Sequence, residues 1–364
     1  ETPKKRLELS LFVKLSIIIV VSLLISNVFV AVSAMSIMEK VFIESYTISN
    51  NKILDQISHK LSDFNTKIAW IVNVYNQNMS LKECFTRDIS DQHRLFHVYY
   101  NMKNNLKSIE QNSDYTDFHI ATLGLNNLTF ISSGDALTIS GEELAVHPLT
   151  LQSKNNPNKT FYNHLFPGFT VSKAQKDVIV ATKQLRDSYT SVNFGTIYVI
   201  FDETTFSSMY ENSLPEGSKM MVLSKDGRVV SSNDKGIVGT IDTGILSAAK
   251  EHIKSDAKYT NIEYNQYGGV LMGKYLPLYD MYMVNIVDKD YLLRGFIELQ
   301  PLIYTGCFVI SFIVITSVFL ITRRITQPLT NLVSHMSKAK DGKFLKVSEI
   351  KGSYEVRELQ HVYN

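Results

Sequence analysis

Two stretches of this 364-residue chain carry no charge for 24 residues each, Leu15–Met38 and Leu299–Thr322. As a helix each would be roughly 36 Å long, against a hydrocarbon core of about 30 Å. A single Lys or Asp at mid-membrane would cost about 2.5–3.5 kcal/mol on insertion scales, and neither run holds one. The runs therefore predict two transmembrane helices around one soluble region, residues 39–298. Asn27 is the most polar group in the first run. Its amide either bonds back to its own helix or hydrogen-bonds across a helix interface.

The flanks set the orientation. Lys4, Lys5, Arg6 and Lys14 precede the first run; Arg323 and Arg324 follow the second, with Lys338, Lys340 and Lys343 beyond. The positive-inside rule puts both ends in the cytoplasm and residues 39–298 outside the cell, in a two-pass cell-membrane protein. The competing reading is a cleaved signal peptide, with Val32-Ser33-Ala34 as the small-residue site. Signal h-regions run only about 7–15 residues, shorter than this one.

Thirty-seven Lys and Arg balance 35 Asp and Glu, so no nucleic-acid partner is implied. Cys84 lies in the soluble region and Cys307 within the second apolar run, so they cannot pair. The outer region must be held by a core rather than by disulfides.

Beyond the first run, Leu54, Ile57, Leu61, Phe64, Ile68, Ile71 and Tyr75 alternate spacings of three and four. That is an apolar stripe along one long helix, and no Gly or Pro interrupts residues 36–80. The stripe packs on its own domain, pairs with a second copy, or does both at different heights. Strand patterns follow: Phe118–Leu123 and Leu128–Ile131 around Gly124-Leu-Asn-Asn127, then Val178–Thr182 and Gly195–Phe201. Asp202 reads as the N-cap of a helix. After the Leu214-Pro215-Glu-Gly217 break, Lys219–Ser224 and Arg228–Ser232 flank Lys225-Asp226-Gly227, a hairpin signal. A helix over Ile245–Ile253, strands at Gly269–Tyr275 and Met281–Val287, and a helix from Asp288 complete a second unit. The organisation is α+β: residues 1–14 cytoplasmic, 15–38 membrane, 39–213 the long helix with a membrane-distal sheet unit, 214–298 a membrane-proximal unit, 299–322 membrane, and 323–364 a cytoplasmic helical segment.

In that last segment Ile325, Leu329, Leu332, Met336 and Ala339 form a stripe, with Pro328 near its start. Val356, Leu359 and Tyr363 form another. Two such helices cannot bury their stripes alone, whereas two copies make a four-helix bundle, which implies a parallel homodimer. Ile325-Thr-Gln-Pro328-Leu329, Gly342 and Glu355-Val356-x-x-Leu359-x-x-x-Tyr363-Asn364 resemble the HAMP signal relay of bacterial receptors. Tyr354, Arg357 and Tyr363 stand where that pattern has Asp, Gly and Phe. The outer region is similar to a double Cache sensor, a long helix carrying two PAS-like units. The whole layout looks most like the input half of YesM-type sensor histidine kinases of Gram-positive bacteria.

The resemblance implies a relay through Pro328, Leu329, Leu332, Met336, Glu355, Val356 and Leu359. It also implies a kinase domain beyond Asn364, using ATP and Mg and passing phosphate to a response regulator. The chain itself shows no phosphate-binding Gly loop, no Cys–His metal spacing and no nucleophile elbow. No catalytic residue, metal or cofactor is expected in it, and His335 and His361 are not expected to accept phosphate. In amino-acid-binding double Cache domains Arg, Trp, Tyr and Asp clamp the ligand's charged groups. The matching stretch here offers Tyr162, Lys183, Arg186, Tyr198 and Asp202, without the Arg–Trp pattern. Set against that role, Asp202 reads as a helix cap, Arg186 as a solvated strand end, and Trp70 (the only Trp) as a core residue. The ligand is open: a small molecule, a peptide or a binding protein. A chemotaxis or cyclase-type receptor with the same input half is the alternative, ahead of a membrane-anchored binding module without signalling.

Overall fold

The structure, a computed structural model, describes residues 11–86, 96–104, 118–131, 134–264, 267–340 and 358. Its contacts divide the chain into two compact units, Glu1–Ile43 with Leu293–Asn364, and Glu44–Leu292.

The Glu44–Leu292 unit holds the second half of α1 (Leu11–Asn76) and two antiparallel sheets. The first has β1 (His119–Gly124), β2 (Thr129–Ile131), β3 (Phe161–Leu165), β4 (Val178–Arg186) and β5 (Asn193–Asp202), in spatial order β2-β1-β5-β4-β3. The second has β6 (Ser218–Leu223), β7 (Val229–Ser232), β8 (Thr260–Tyr264), β9 (Tyr267–Leu276) and β10 (Met281–Asp288), in order β7-β6-β10-β9-β8. The two orders are one permutation used twice. Short helices fill the connections: α2 (Met79–Thr86), α3 (residues 96–104), α4 (Gly141–Val146), α5 (Pro148–Asn155), α6 (Glu203–Glu211) and α7 (Thr243–Ser255).

The α1 stripe behaves as its spacing requires. Leu54, Ile57, Leu61, Phe64, Ile68, Ile71 and Tyr75 are all buried. Phe64 meets Phe201 edge-on at 5.0 Å and Phe118 at 5.6 Å, so the stripe closes on one face of the first sheet. Trp70 does not join this core; it is 42% exposed, because its position falls off the three-four stripe. Two sheet-side cores complete the unit. One packs Leu144 and Leu149 of α4 and α5 with Phe169 on Val178, Val180, Tyr198 and Ile200. The other packs Ile245, Leu246 and Ala249 of α7 on Met221, Leu271, Val284 and Ile286.

Local signals match their chemistry. Gly227 supplies the left-handed backbone, φ +88°, that the β6–β7 turn needs. Asp242 caps α7 by accepting from the Ile245 amide at 2.9 Å. Ser140 and Glu143 form a reciprocal capping box on α4. Asp202 does sit at the N-cap of α6, but its carboxylate makes no capping bond, because lysines hold it elsewhere.

In the other unit, the first part of α1 and most of α8 (Lys289–Lys340) are two helices long and apolar enough to cross a membrane. Their large apolar side chains, Phe29, Leu302 and Phe308 among them, are exposed, which suits contact with lipid better than with water. Of the two roles open to Asn27, the cross-helix one holds. Its Nδ2 donates to the Cys307 carbonyl at 3.0 Å and to Ser311 Oγ at 2.6 Å. Pro328, Leu329, Leu332 and Met336 lie on α8, which runs unbroken to Lys340. Glu355, Val356 and Leu359 fall outside the described residues.

Candidate functional site

Strand register sorts the five candidate ligand residues. Thr182 pairs with Tyr198 and Ala181 with Val199, while Tyr162 pairs with Ala181. Because side chains alternate along a strand, Tyr198 and Asp202 share the face covered by α4 and α5. Tyr162 and Lys183 belong to the opposite face, toward α1. Arg186 belongs to neither group. Its guanidinium donates to the Ser191 carbonyl and to Asn158, clamping the β4–β5 turn. The five do not converge on one point.

On the α4–α5 face the polar groups are already engaged. The Tyr198 hydroxyl shares a 2.6 Å hydrogen bond with Thr150 Oγ1, and burial pushes its phenol well up. Gln184 Nε2 donates to Ser153 Oγ at 2.7 Å and to Thr196 Oγ1 at 2.8 Å. At the sheet's end, Lys173 Nζ lies 2.6 Å and Lys176 Nζ 3.4 Å from the Asp202 carboxylate. Burial alone would raise that carboxyl, but the two ammonium groups outweigh it and hold it low. Nearby, Asp135 accepts from Ser172 Oγ at 2.6 Å and from the Ala136 amide at 2.9 Å. These bonds overcome its burial and bring it to about 2. His119 Nδ1 is 3.2 Å from the same carboxylate.

Burial depresses three imidazoles, His119, His147 and His252, with Lys173 adding to the effect at His119. A base whose folded pKa is lowered binds fewer protons folded than unfolded. Stability is therefore complete above the unfolded value, about 6.5, and is lost as pH falls below it. Stability is expected to fall between pH 7 and pH 5, by up to about 1.4 kcal/mol per group per pH unit within the window, and the thermal midpoint should drop with it. A melting series in which His252→Gln leaves that slope unchanged would remove His252 from the account.

On the α1 face, Tyr162 belongs to a joint between the two sheets. Its hydroxyl donates to Asn65 Oδ1 of α1 at 2.6 Å, and its ring sits 4.4 Å from that of Tyr279. Tyr279, in the β9–β10 turn of the second sheet, also meets Phe206 at 5.6 Å and donates to the Leu61 carbonyl at 2.5 Å. The adjacent Asp280 pairs with Lys159 and Lys225, and accepts from the Tyr275 hydroxyl at 2.5 Å. Its burial would raise the carboxyl, but these donors outweigh it and hold it well below the usual range. Lys183 is half-buried, and burial lowers its ammonium pKa.

Sequence reasoning missed a cavity of about 330 Å³ beside the β1–β2 hairpin. Cys84, Phe85, Met102 and Phe130 line its floor and are buried; Phe96 and Tyr99 of α3 stand at its rim. The aromatic pair Phe96-x-x-Tyr99 on one helix face was the available signal. Among the described residues, no group of His, Cys, Asp and Glu could hold a metal ion.

No protein-family model and no curated protein matches the chain. Solved structures do. The ligand-binding domain of the Campylobacter jejuni chemoreceptor Tlp3 in complex with L-valine is 11% identical with a TM-score of 0.51, over 70% of this chain and 98% of that one. The sensory domain of the same receptor with isoleucine bound is 10% identical with a TM-score of 0.50, at the same coverage. A further structure of that sensory domain is 9% identical, also with a TM-score of 0.50 and the same coverage. At such identities the likeness is one of fold. The long helix with two sheets of identical strand order has the fold of Cache-type ligand-binding domains of bacterial chemoreceptors.

Proposed function

We propose that this chain is the input half of a bacterial transmembrane receptor. It senses a small molecule outside the cell and passes the change to a cytoplasmic output. One observation carries this reading: a domain with the fold of chemoreceptor ligand-binding domains lies between two helices apolar enough to cross a membrane. Both chain ends are then cytoplasmic, and the working form is a parallel homodimer. The segment from Pro328 through Leu329, Leu332 and Met336, with Glu355, Val356 and Leu359, acts as a HAMP-type relay. The first output reading is a histidine kinase using ATP and Mg and serving a response regulator. A chemotaxis or cyclase-type output is the second. The sequence following residue 364 separates them, a phospho-accepting His in a dimerisation helix against a long coiled coil.

The related domains carry L-valine and isoleucine, which supports a small-molecule ligand here. In this chain Lys173 and Lys176 already neutralise Asp202, so that carboxylate is poorly placed to clamp a free amine. The route onward is the Tyr162–Tyr279 joint. It ties the first sheet to β10, and β10 runs into α8 at Asp288. A ligand drives this path only through unequal affinity for two states, and coupling of about 1–3 kcal/mol suffices.

Cysteines placed singly from Val314 to Leu320 in a Cys307→Ser chain should crosslink in pairs within membranes. The pattern is expected to change with stimulus. A pattern unchanged under every sugar, peptide, amino acid and aromatic compound tried would remove the transmission reading.

A further inference from the structure

The α2–α3 cavity is walled almost wholly by carbon and sulfur. Cys84 and Phe85 come from α2, Met102 from α3 and Phe130 from β2, and each of the four is at most 2% exposed. Tyr99 stands edge-on to Phe130 at 5.6 Å, and Phe96 stacks on Tyr100 at 6.4 Å. The floor is therefore a set of packed rings, and the rim is two aromatic side chains left partly in water. The hairpin side is rigid. Phe85 packs so tightly on Gly124 that a Cβ there would meet its ring at 2.5 Å, and Asn126 Nδ2 ties the hairpin to the Cys84 carbonyl at 2.9 Å.

A cavity of about 330 Å³ falls in the range of small-molecule sites, roughly 300–1,000 Å³. It exceeds the apolar cavity of about 150 Å³ that stays dry and takes up benzene. Water gains little in such a space, because a water molecule needs about 2–4 polar partners. Among the described lining residues, the side-chain polar atoms on offer are the Thr129 and Tyr99 hydroxyls and the Cys84 thiol. Burial pushes both the thiol and the Tyr99 phenol upward, so both are neutral at pH 7.

We infer that this cavity is a ligand site for a small, uncharged, flat molecule of one or two aromatic rings, held by Phe85, Phe130 and Tyr99 with Cys84 against its edge. Charged ligands are disfavoured, since no charged side chain among the described residues of the wall would pair with them. The inference deepens the sensing reading above and rests on it for its biological meaning, but not for its test.

The test uses the full chain in lipid nanodiscs with Cys307→Ser, which leaves Cys84 as the only thiol. Indole is the probe, and the rate of alkylation of Cys84 by a small maleimide is the readout. Indole at about 1 mM is expected to slow that rate at least five-fold and saturably, while free serine leaves it unchanged. In Leu128→Trp, whose new ring would fill the lining, the rate should no longer depend on indole. An unchanged rate with indole overturns the site, and equal protection by serine overturns the ligand class. So does equal slowing at Cys307 in a Cys84→Ser chain, since that would report indole in the bilayer. Protection without any change in the Val314–Leu320 crosslinks keeps the site and separates it from the sensing reading. An aromatic-dependent change in those crosslinks without protection does the reverse.

Discussion

Ile68→Ala is expected to destabilise the Glu44–Leu292 unit by about 2–5 kcal/mol. Ile68 is wholly buried in the α1 stripe, one turn beyond Phe64, whose ring meets Phe201 of the first sheet. Removing three carbons there loses their transfer energy and leaves a hole that two rigid elements cannot close. For a unit of this size about 1 kcal/mol moves the melting midpoint by roughly 2–4 °C. A fall of roughly 5–15 °C should follow. His59 is exposed on the same helix, and His59→Ala should stay within about 0.5 kcal/mol. Equal melting of the two variants would mean that the stripe is not the seam of the core.

The second large effect is expected from Tyr279→Ala, about 3–5 kcal/mol. Its ring bridges Tyr162 and Phe206 of the first sheet unit from a turn of the second, and its hydroxyl donates to the Leu61 carbonyl of α1. Tyr279→Phe keeps the ring and loses only that bond, about 0.5–1.5 kcal/mol. The alanine variant should also separate the two sheets in denaturation, giving two urea transitions where the parent gives one. A single transition with a loss under about 1 kcal/mol would show that the joint lies elsewhere.

What could be read from the chain was what repeats along it. The α1 stripe was legible because seven apolar residues at three-four spacing admit one helical face. The β6–β7 hairpin was legible because Lys225-Asp226-Gly227 is turn chemistry. β3 and β8 were not. Both are edge strands with one hydrogen-bonded neighbour, and Phe161–Leu165 and Thr260–Tyr264 mix polar and apolar residues without the long run that central strands carry. The fate of the five candidate residues was hidden for a related reason. Tyr162 and Tyr198 differ in face by strand register alone, and register is a property of pairing between distant segments. The Lys173–Asp202 pair likewise joins residues brought together by the loop before β4 and the end of β5. The cavity depends on how α3 meets β2, a packing angle that composition does not encode.

The shared strand order has a consequence for how such a chain can change over time. In each sheet the first and last strands lie side by side at the centre, β1 with β5 and β6 with β10. His119 pairs with Ile200, and Ser218 with Val287. The chain thus enters and leaves each sheet at one end, a strand spacing of about 4.8 Å apart. Each sheet is a closed excursion from a common stem, so one can be exchanged, lengthened or reshaped while its two attachment points stay put. The strands and loops within each sheet can therefore vary while the points at which the chain joins it stay fixed.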